Sequence, residues 1–478
     1  MKKKRLFRLS GALLAAVLLT GCAPQAHPPG RLNMETRSET SDAETQNAGS
    51  STNAEKVSFW FAGNATGAAV MREIVDGFNA SQSDYWAEAT VFGSYTEIYS
   101  AVQTAIATGG APDAVVLERD SSIDLYQKGL TVDLTDALQQ DGDFHPERFL
   151  SVYYDQGVSE DGEIFAMPLY GTTQVLYYNK AAFAAAGVAP ESIQTWSDLA
   201  AAANAVQTAG ICRYGWEPMW GYENMLDAAL SNGGSVFSDD GRTVTVNAPE
   251  WVEVWEAFRV WLHDERLMRV HSGGYGWEYW DFTRLDALDG SAGGYTGSSG
   301  DQADVDFSVV GMLEQPAWDT EHEARPEAKV LLLNVLSTST RERQNGAYAL
   351  IRYLIDVPAQ VLWTIGTGYI AVNQGVLEDE TYQAHVQKEP YAQIPLLQSM
   401  HASVYPYDPT GGAVQAALRR AADQVQIENI SAQDALDEAQ RTAQRALDAV
   451  LTKEDKEDVE APDTDLPETL QEVEDAAL

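Results

Sequence analysis

Val57-Ser58-Phe59-Trp60-Phe61, Ala89-Thr90-Val91-Phe92 and Ala114-Val115-Val116-Leu117 are three short runs of β-branched, aromatic and small apolar residues. Between the first two, after the break at Ala62-Gly63, residues 68–78 place Val70, Ile74, Val75 and Phe78 at helical spacing. Between the second two, residues 98–107 do the same with Ile98, Val102, Ala105 and Ile106, behind Gly93-Ser94 and ahead of Gly109-Gly110-Ala111-Pro112. This strand–helix–strand–helix–strand order predicts a parallel sheet covered on both faces. In such sheets ligands bind beyond the carboxyl ends of the strands. Those ends carry Phe61 and Ala62, Ser94 and Tyr95, and Glu118. Tyr95 and Glu118 are therefore the first candidates for a polar cleft wall, although spacing alone also allows Glu118 to be a solvated loop acid.

The rest of the composition narrows the function. The chain has 478 residues, of which 45% are hydrophobic, enough for two to four domains. Lys plus Arg total 31 against 71 Asp plus Glu, a formal charge of −40, which argues against nucleic acid and against docking on anionic lipid through a basic face. Two cysteines exclude a disulfide framework and a CxxC-type zinc site. At the N-terminus, Lys2, Lys3, Lys4, Arg5 and Arg8 precede an apolar run over residues 11–19, the pattern of a secretory signal. The run ends in Leu19-Thr20-Gly21-Cys22, which resembles the bacterial lipobox and implies acylation of Cys22 after removal of residues 1–21. Cys212 then reads as a buried small hydrophobe. Residues 22–55 are too polar to offset ordering entropy and read as a flexible tether, and residues 452–478 read as an acidic, disordered tail.

Further along, Ala166-Met167-Pro168-Leu169-Tyr170-Gly171-Thr172-Thr173-Gln174-Val175-Leu176-Tyr177-Tyr178-Asn179-Lys180 resembles the crossing segment of extracellular solute-binding proteins of ABC importers. The sugar-binding family that includes the maltose- and glycerol-phosphate-binding proteins is the one meant. Residues 183–187 and Thr195-Trp196-Ser197-Asp198-Leu199 agree with it, and Gly368-Tyr369-Ile370-Ala371 looks like its Gly-Tyr-Leu-Pro segment with Ala371 in place of the proline. The resemblance implies a two-lobed, type II periplasmic-binding-protein fold of α/β class. Each lobe is expected to be a mostly parallel sheet flanked by helices, with the ligand cleft at the hinge. Lobe 1 is placed at residues 56–165 and 328–375, and lobe 2 at residues 168–326 and 376–451.

The residues themselves support local parts of this reading. Thr195 and Asp198 form a capping-box pattern, which leaves Trp196 as a core plug. Residues 175–178 read as a buried strand. Trp251, Trp255, Phe258 and Trp261 recur at helical spacing behind Pro249 and mark a core stripe, not a stacking ladder. Ser431 caps a last helix whose Leu436, Ala439, Ala443, Leu447 and Val450 share one face.

Catalytic signatures are missing: the chain has no GxSxG elbow, HExxH helix or P-loop. A binding protein is expected, with no cofactor or metal, against the alternatives of a surface carbohydrate-active enzyme or a structural lipoprotein. The resemblance places Tyr95, Glu118, Thr172, Trp220, Ser298, Ser299 and Tyr369 at the cleft, and Tyr170 joins them as flat apolar surface. Tyr275, Trp277 and Trp280 form a Gly-flanked aromatic cluster that either stacks on ligand or lines a loop.

Two departures separate the chain from the glycerol-phosphate branch. Val330-Leu331-Leu332-Leu333-Asn334 lacks that branch's glycines, and Asp408-Pro409-Thr410-Gly411-Gly412 stands where its phosphate-contacting Arg would fall. Arg419 and Arg420 lie further into the next helix and are expected to miss the cleft; Arg119 and Lys329 remain as other sources of charge. The ligand expected is thus a neutral sugar or oligosaccharide, with glycerol 3-phosphate or a glycerophosphodiester as the alternative. The protein is expected to act as a monomer outside the cytoplasm, held to the membrane only by its lipid and served by separate permease subunits.

Overall fold

A computed structural model describes residues 54–274 and 278–460, with side chains up to residue 452. Cys22, most of the tether, Tyr275, Trp277 and residues 461–478 lie outside the described residues. Among the described residues, nine strands form two sheets. The first contains β1 (Glu55–Ala62), β2 (Tyr85–Phe92), β3 (Ala114–Glu118), β4 (Met167–Thr172) and β9 (Lys329–Val335), in the order β2-β1-β3-β9-β4. The second contains β5 (Gln174–Asn179), β6 (Glu217–Pro218), β7 (Gly294–Ser298) and β8 (Val310–Leu313), in the order β6-β7-β5-β8.

The opening motif folds as its sequence predicts. Asn64 accepts a hydrogen bond from the Gly67 N–H and starts the helix Ala65–Ser81, which buries Met71, Ile74, Val75 and Phe78. Ser94 accepts from the Glu97 N–H and starts Tyr95–Thr108, which Gly109 ends in the left-handed conformation. β1 runs parallel to both β2 and β3. Beyond that motif the sheets are mixed, not mostly parallel. β9 is antiparallel to β3 and β4, and in the second sheet β5 is antiparallel to β7 and β8. β9 enters its sheet from the opposite lobe, which reverses its direction. Its unbroken apolar run fits a strand buried on both faces, and Leu332 and Leu333 are fully buried.

Each sheet carries its own core. Phe59, Phe78, Tyr153, Leu332 and Leu350 are in the first. Trp196, Trp216, Trp251, Trp255, Phe258 and Trp261 are in the second, together with Leu436, Ala439, Ala443 and Leu447 of the helix Ala432–Glu460. Trp196 is a core plug behind a complete Thr195–Asp198 capping box. Cys212 is buried, as expected.

Among the described residues, three segments pass between the lobes. Thr173 alone separates β4 from β5; residues 314–328 join β8 to β9; and residues 389–405 form the third passage. The lobe boundaries differ from those expected. β4, assigned above to lobe 2 from residue 168, hydrogen-bonds to β9 in the first sheet. Val376 and Tyr382, also expected in lobe 2, pack with Val361 and Ala371 beside the first sheet's helix Val357–Thr367. The last helix continues to Glu460, so the first part of the expected disordered tail is helical. Lys, Glu and Asp extend an existing helix more easily than they nucleate one.

Candidate ligand-binding cleft

The cleft candidates lie at the outer ends of the central strands of the first sheet. Glu118 on β3 pairs with Leu331 on β9, which pairs with Tyr170 on β4. One row further out, Lys329 pairs with Thr172. Cross-strand partners project to the same face, so Glu118, Tyr170, Thr172 and Lys329 share one side of the sheet.

Three tyrosines gather there. Tyr95, the first residue of its helix, places its hydroxyl 3.0 Å from that of Tyr170, and the Tyr369 hydroxyl completes the chain with Tyr95. The Tyr170 ring packs 4.6 Å from Tyr369 and 4.9 Å from Trp363. Gly368 delivers Tyr369 to this point. It caps its helix at φ 80°, and a Cβ there would lie 2.4 Å from Gln302 Cβ. Burial raises the phenol pKa of all three tyrosines, keeping them neutral donors.

At the passage between the sheets the Thr172 hydroxyl lies 2.7 Å from Ser298 Oγ and 3.1 Å from Ser299 Oγ. The Tyr369 ring closes on the same turn, within 2.5 Å of where a Gly300 Cβ would stand. On the second lobe, the half-buried Trp220 donates to Asp423 Oδ1 at 2.8 Å and meets the Tyr279 ring edge-on at 5.1 Å.

The structure thus brings Tyr95, Glu118, Tyr170, Thr172, Ser298, Ser299 and Tyr369 together, with Trp220 on the facing lobe. Two of them do not offer surface. Tyr170 is 2% exposed and Ser299 is fully buried, because Trp363 and Tyr369 cover the first and the Thr172 cluster encloses the second. They support the wall, and Tyr170 is not the stacking face expected of it. We expect Trp220→Ala to weaken ligand binding while lowering ligand-free stability by only about 1 kcal/mol, since one hydrogen bond and a half-exposed ring are lost. Thermal melting and calorimetry on the same variant check both parts.

The charges around the cleft were only partly visible in the sequence. Glu118 is solvent-exposed, yet the cleft wraps it in protein: desolvation raises its carboxyl pKa against the pull of Lys329 and Arg419. Lys329 Nζ lies 3.3 Å from Glu223 Oε1 and 3.7 Å from Glu327 Oε2. Burial disfavours its ammonium, but Glu327, Glu223, Tyr222 and Glu118 outweigh that and hold it charged. Arg419 corrects an expectation. Its guanidinium stands 5.9 Å over the Tyr222 ring, and its charge acts on Glu118, so it faces the cleft; Arg420 turns away to Glu428. Glu223, Tyr222, Tyr279 and Trp363 were not singled out as site residues. Only strand register and lobe pairing reveal them.

Two other features lie apart from this site. A cavity of about 700 Å3 opens beyond the Gln302–Gly368 contact, between Lys180, Phe307, Ile365 and Tyr391, and none of the candidate residues lines it. Several of its charged groups are already paired with nearby atoms: Lys180 with the Phe307 carbonyl, Glu389 with Tyr391 and Lys388, and Asp306 with Ser308. Among the described residues, Glu217, His271 and Asp286 bring possible metal-ligand atoms within 4.8 Å of one another. Arg269 fills that space, 2.5 Å from Glu217 Oε1 and 2.6 Å from His271 Nε2, and contacts Asp286 as well. Its guanidinium already supplies the positive charge there.

Residues 73–390, more than half of the chain, match the sequence pattern of the bacterial extracellular solute-binding proteins. The chain belongs to this family. Among relatives of this solute-binding protein, the sn-glycerol-3-phosphate-binding periplasmic protein UgpB of Escherichia coli O6:K15:H31 is 26% identical over 359 residues, covering 69% of this chain and 77% of that protein. Two solved structures share the fold. The GacH receptor of Streptomyces glaucescens, solved unliganded and with acarbose, has a TM-score of 0.72 at 18% identity, covering 83% of this chain and 99% of that one. UgpB of Mycobacterium tuberculosis, in complex with glycerophosphocholine, has a TM-score of 0.71 at 18% identity, covering 84% and 99%. The expected two-lobed binding-protein architecture is therefore the one present, and the chain is a binding protein, not an enzyme. Among the described residues no helix is long and apolar enough to cross a membrane.

Proposed function

We propose that this solute-binding protein captures an uncharged sugar or short oligosaccharide between its lobes and delivers it to the membrane permease of an ABC importer, with Cys22 carrying the lipid anchor. The observation that carries this reading is the state of charge in the cleft. Lys329 is balanced by Glu223 and Glu327, and Glu118 beside it keeps an open carboxylate edge that suits ligand hydroxyls. A carboxylate that accepts such bonds contributes about 1.5–3 kcal/mol each. Tyr95, Tyr369, Thr172 and Ser298 supply neutral hydroxyls around it, and Trp220 supplies the aromatic face on the other lobe.

A second reading, glycerol 3-phosphate or a glycerophosphodiester, has one observation in its favour: Arg419 faces the cleft, and a planar guanidinium suits phosphate. Calorimetric titration of maltotriose, sn-glycerol 3-phosphate and glycerophosphocholine into one preparation separates the two. Saturable binding of a phosphate compound with no response to neutral sugars overturns the first reading. Under either, Glu118→Gln is expected to leave the fold intact and weaken binding at least about tenfold. Unchanged affinity would return Glu118 to the role of a solvated acid.

A further inference from the structure

We propose that Lys329 is a ligand-contacting, specificity-determining residue: a hydrogen-bond donor set beside the Glu118 acceptor, so that the pair recognises adjacent acceptor and donor oxygens, as in a vicinal diol. This rests on the cleft assignment made above and names a recognition group within it. The register supports the pairing. Lys329 faces Thr172 across β4, while Glu118 faces Leu331 two residues further along β9, so Lys329 and Glu118 are diagonal neighbours on one face. Diagonal neighbours stand about 7–8 Å apart, a gap that a lysine stem spans.

An ammonium has three N–H donors. Glu223 of the second lobe accepts one at 3.3 Å, and Glu327 of the interlobe passage adds a charge partner at 3.7 Å. The side chain stays 35% exposed although protein closes around its ammonium, and the N–H donors not taken by Glu223 are those we assign to the ligand. The other four lysines between residues 54 and 452 are placed differently. Lys56 pairs with Glu88, Lys128 with Asp124, Lys180 with the Phe307 carbonyl, and Lys388 is 81% exposed. Balanced by two carboxylates, Lys329 donates a hydrogen bond without offering a site of net positive charge. An acceptor–donor pair of this kind fits a diol better than a phosphate.

The test uses the full chain. Wild type, Lys329→Met, Lys329→Gln and Lys329→Arg are titrated with maltotriose and glycerophosphocholine. Separately, the Glu118 carboxyl is followed by 13C NMR through a pH titration without ligand. For whichever probe binds wild type, Lys329→Met is expected to lose at least about tenfold in affinity. Lys329→Gln, which keeps a donor without the charge and substitutes for the methionine variant if that fails to fold, is expected to lose less, and Lys329→Arg to recover most of the affinity. In the NMR titration, Lys329→Met is expected to move Glu118 to higher pH and Lys329→Arg to leave it near its wild-type position.

Unchanged affinity in Lys329→Met alongside a displaced Glu118 midpoint would make Lys329 a counter-ion only and overturn the proposal. A Glu118 midpoint unmoved by Lys329→Met overturns it whatever the ligand. Failure of both probes to bind wild type counts instead against the ligand classes proposed above, and the NMR titration then decides the Lys329–Glu118 pairing by itself.

Discussion

Arg269→Met is expected to destabilise the second lobe by up to about 1.4 kcal/mol more at pH 9 than at pH 6, the most that one group with a wild-type midpoint of about 8 can contribute over that interval. Glu217 is fully buried, and its neighbours are Arg269, His271 and Asp286, with Asp289 adding negative charge from further away. Burial pushes the Glu217 carboxyl up to about 8, against the pull of Arg269. Because this pKa is raised on folding, the folded state holds the proton more tightly than the unfolded chain. The associated stability is full below the ordinary carboxylate range and declines as pH rises through about 8.

Removing Arg269 raises the Glu217 pKa further. Below neutrality Glu217 keeps its proton in both proteins and the added loss is small; at pH 9 it has ionised beside the guanidinium in the wild type, whereas the variant keeps the proton and lacks that stabilised ion pair. His271, whose pKa is lowered by burial and then by Arg269, becomes easier to protonate in the variant and offsets part of the loss at Asp286. Urea unfolding at the two pH values checks the effect. Adding Glu217→Gln to the Arg269→Met background should restore most of the stability at pH 9, and a loss equal at both pH values would sink the argument.

Trp255→Ala is expected to cost about 3–5 kcal/mol at any pH, the range for removing a large buried aromatic and leaving a cavity. Trp255 is fully buried, stands 6.1 Å from the Trp251 ring and donates from Nε1 to the Met225 carbonyl at 3.2 Å. Met225 belongs to the helix Glu223–Ser231, whose first residue pairs with Lys329. The variant should therefore also bind ligand more weakly, since Glu223 loses support from behind. Trp255→Phe keeps most of the packing and should cost clearly less. Chemical denaturation followed by circular dichroism measures both variants, and a loss under about 1 kcal/mol in Trp255→Ala would show that the core closes over the gap.

What the sequence made legible follows from the range of the interactions involved. The opening strands and helices, the Thr195–Asp198 box and the Trp251–Trp255–Phe258 stripe depend on neighbours within a turn or two, and each folds as read. The mixed direction of the sheets was not legible, because nothing local tells β9 that it enters between β3 and β4 from the other lobe. The same limit hid the role of Lys329. In the sequence it is one lysine before an apolar run; only register sets it opposite Thr172 and diagonal to Glu118. Tyr170 shows the converse. The sequence offers it as flat apolar surface for a ligand, but its exposure depends on Trp363 and Tyr369, which lie almost 200 residues further along the chain.

Thr173 is the whole link between β4 and β5, and the Thr172 hydroxyl bonds to those of Ser298 and Ser299 beside it. When two bodies turn about a link this short, points near the axis keep their separations while points far from it sweep through large arcs. Encounter and retention of a ligand are then divided between different residues. On the reading proposed above, the hydroxyls beside Thr173 and the Glu118 wall of the first lobe would be in place before any rotation and are expected to govern the rate of capture. Trp220 on the second lobe is expected, on that reading, to meet the ligand last and to govern how long it stays. Substitutions at Thr172 or Glu118 should thus slow association, and those at Trp220 should shorten residence time with association nearly unchanged, a division that stopped-flow fluorescence resolves directly.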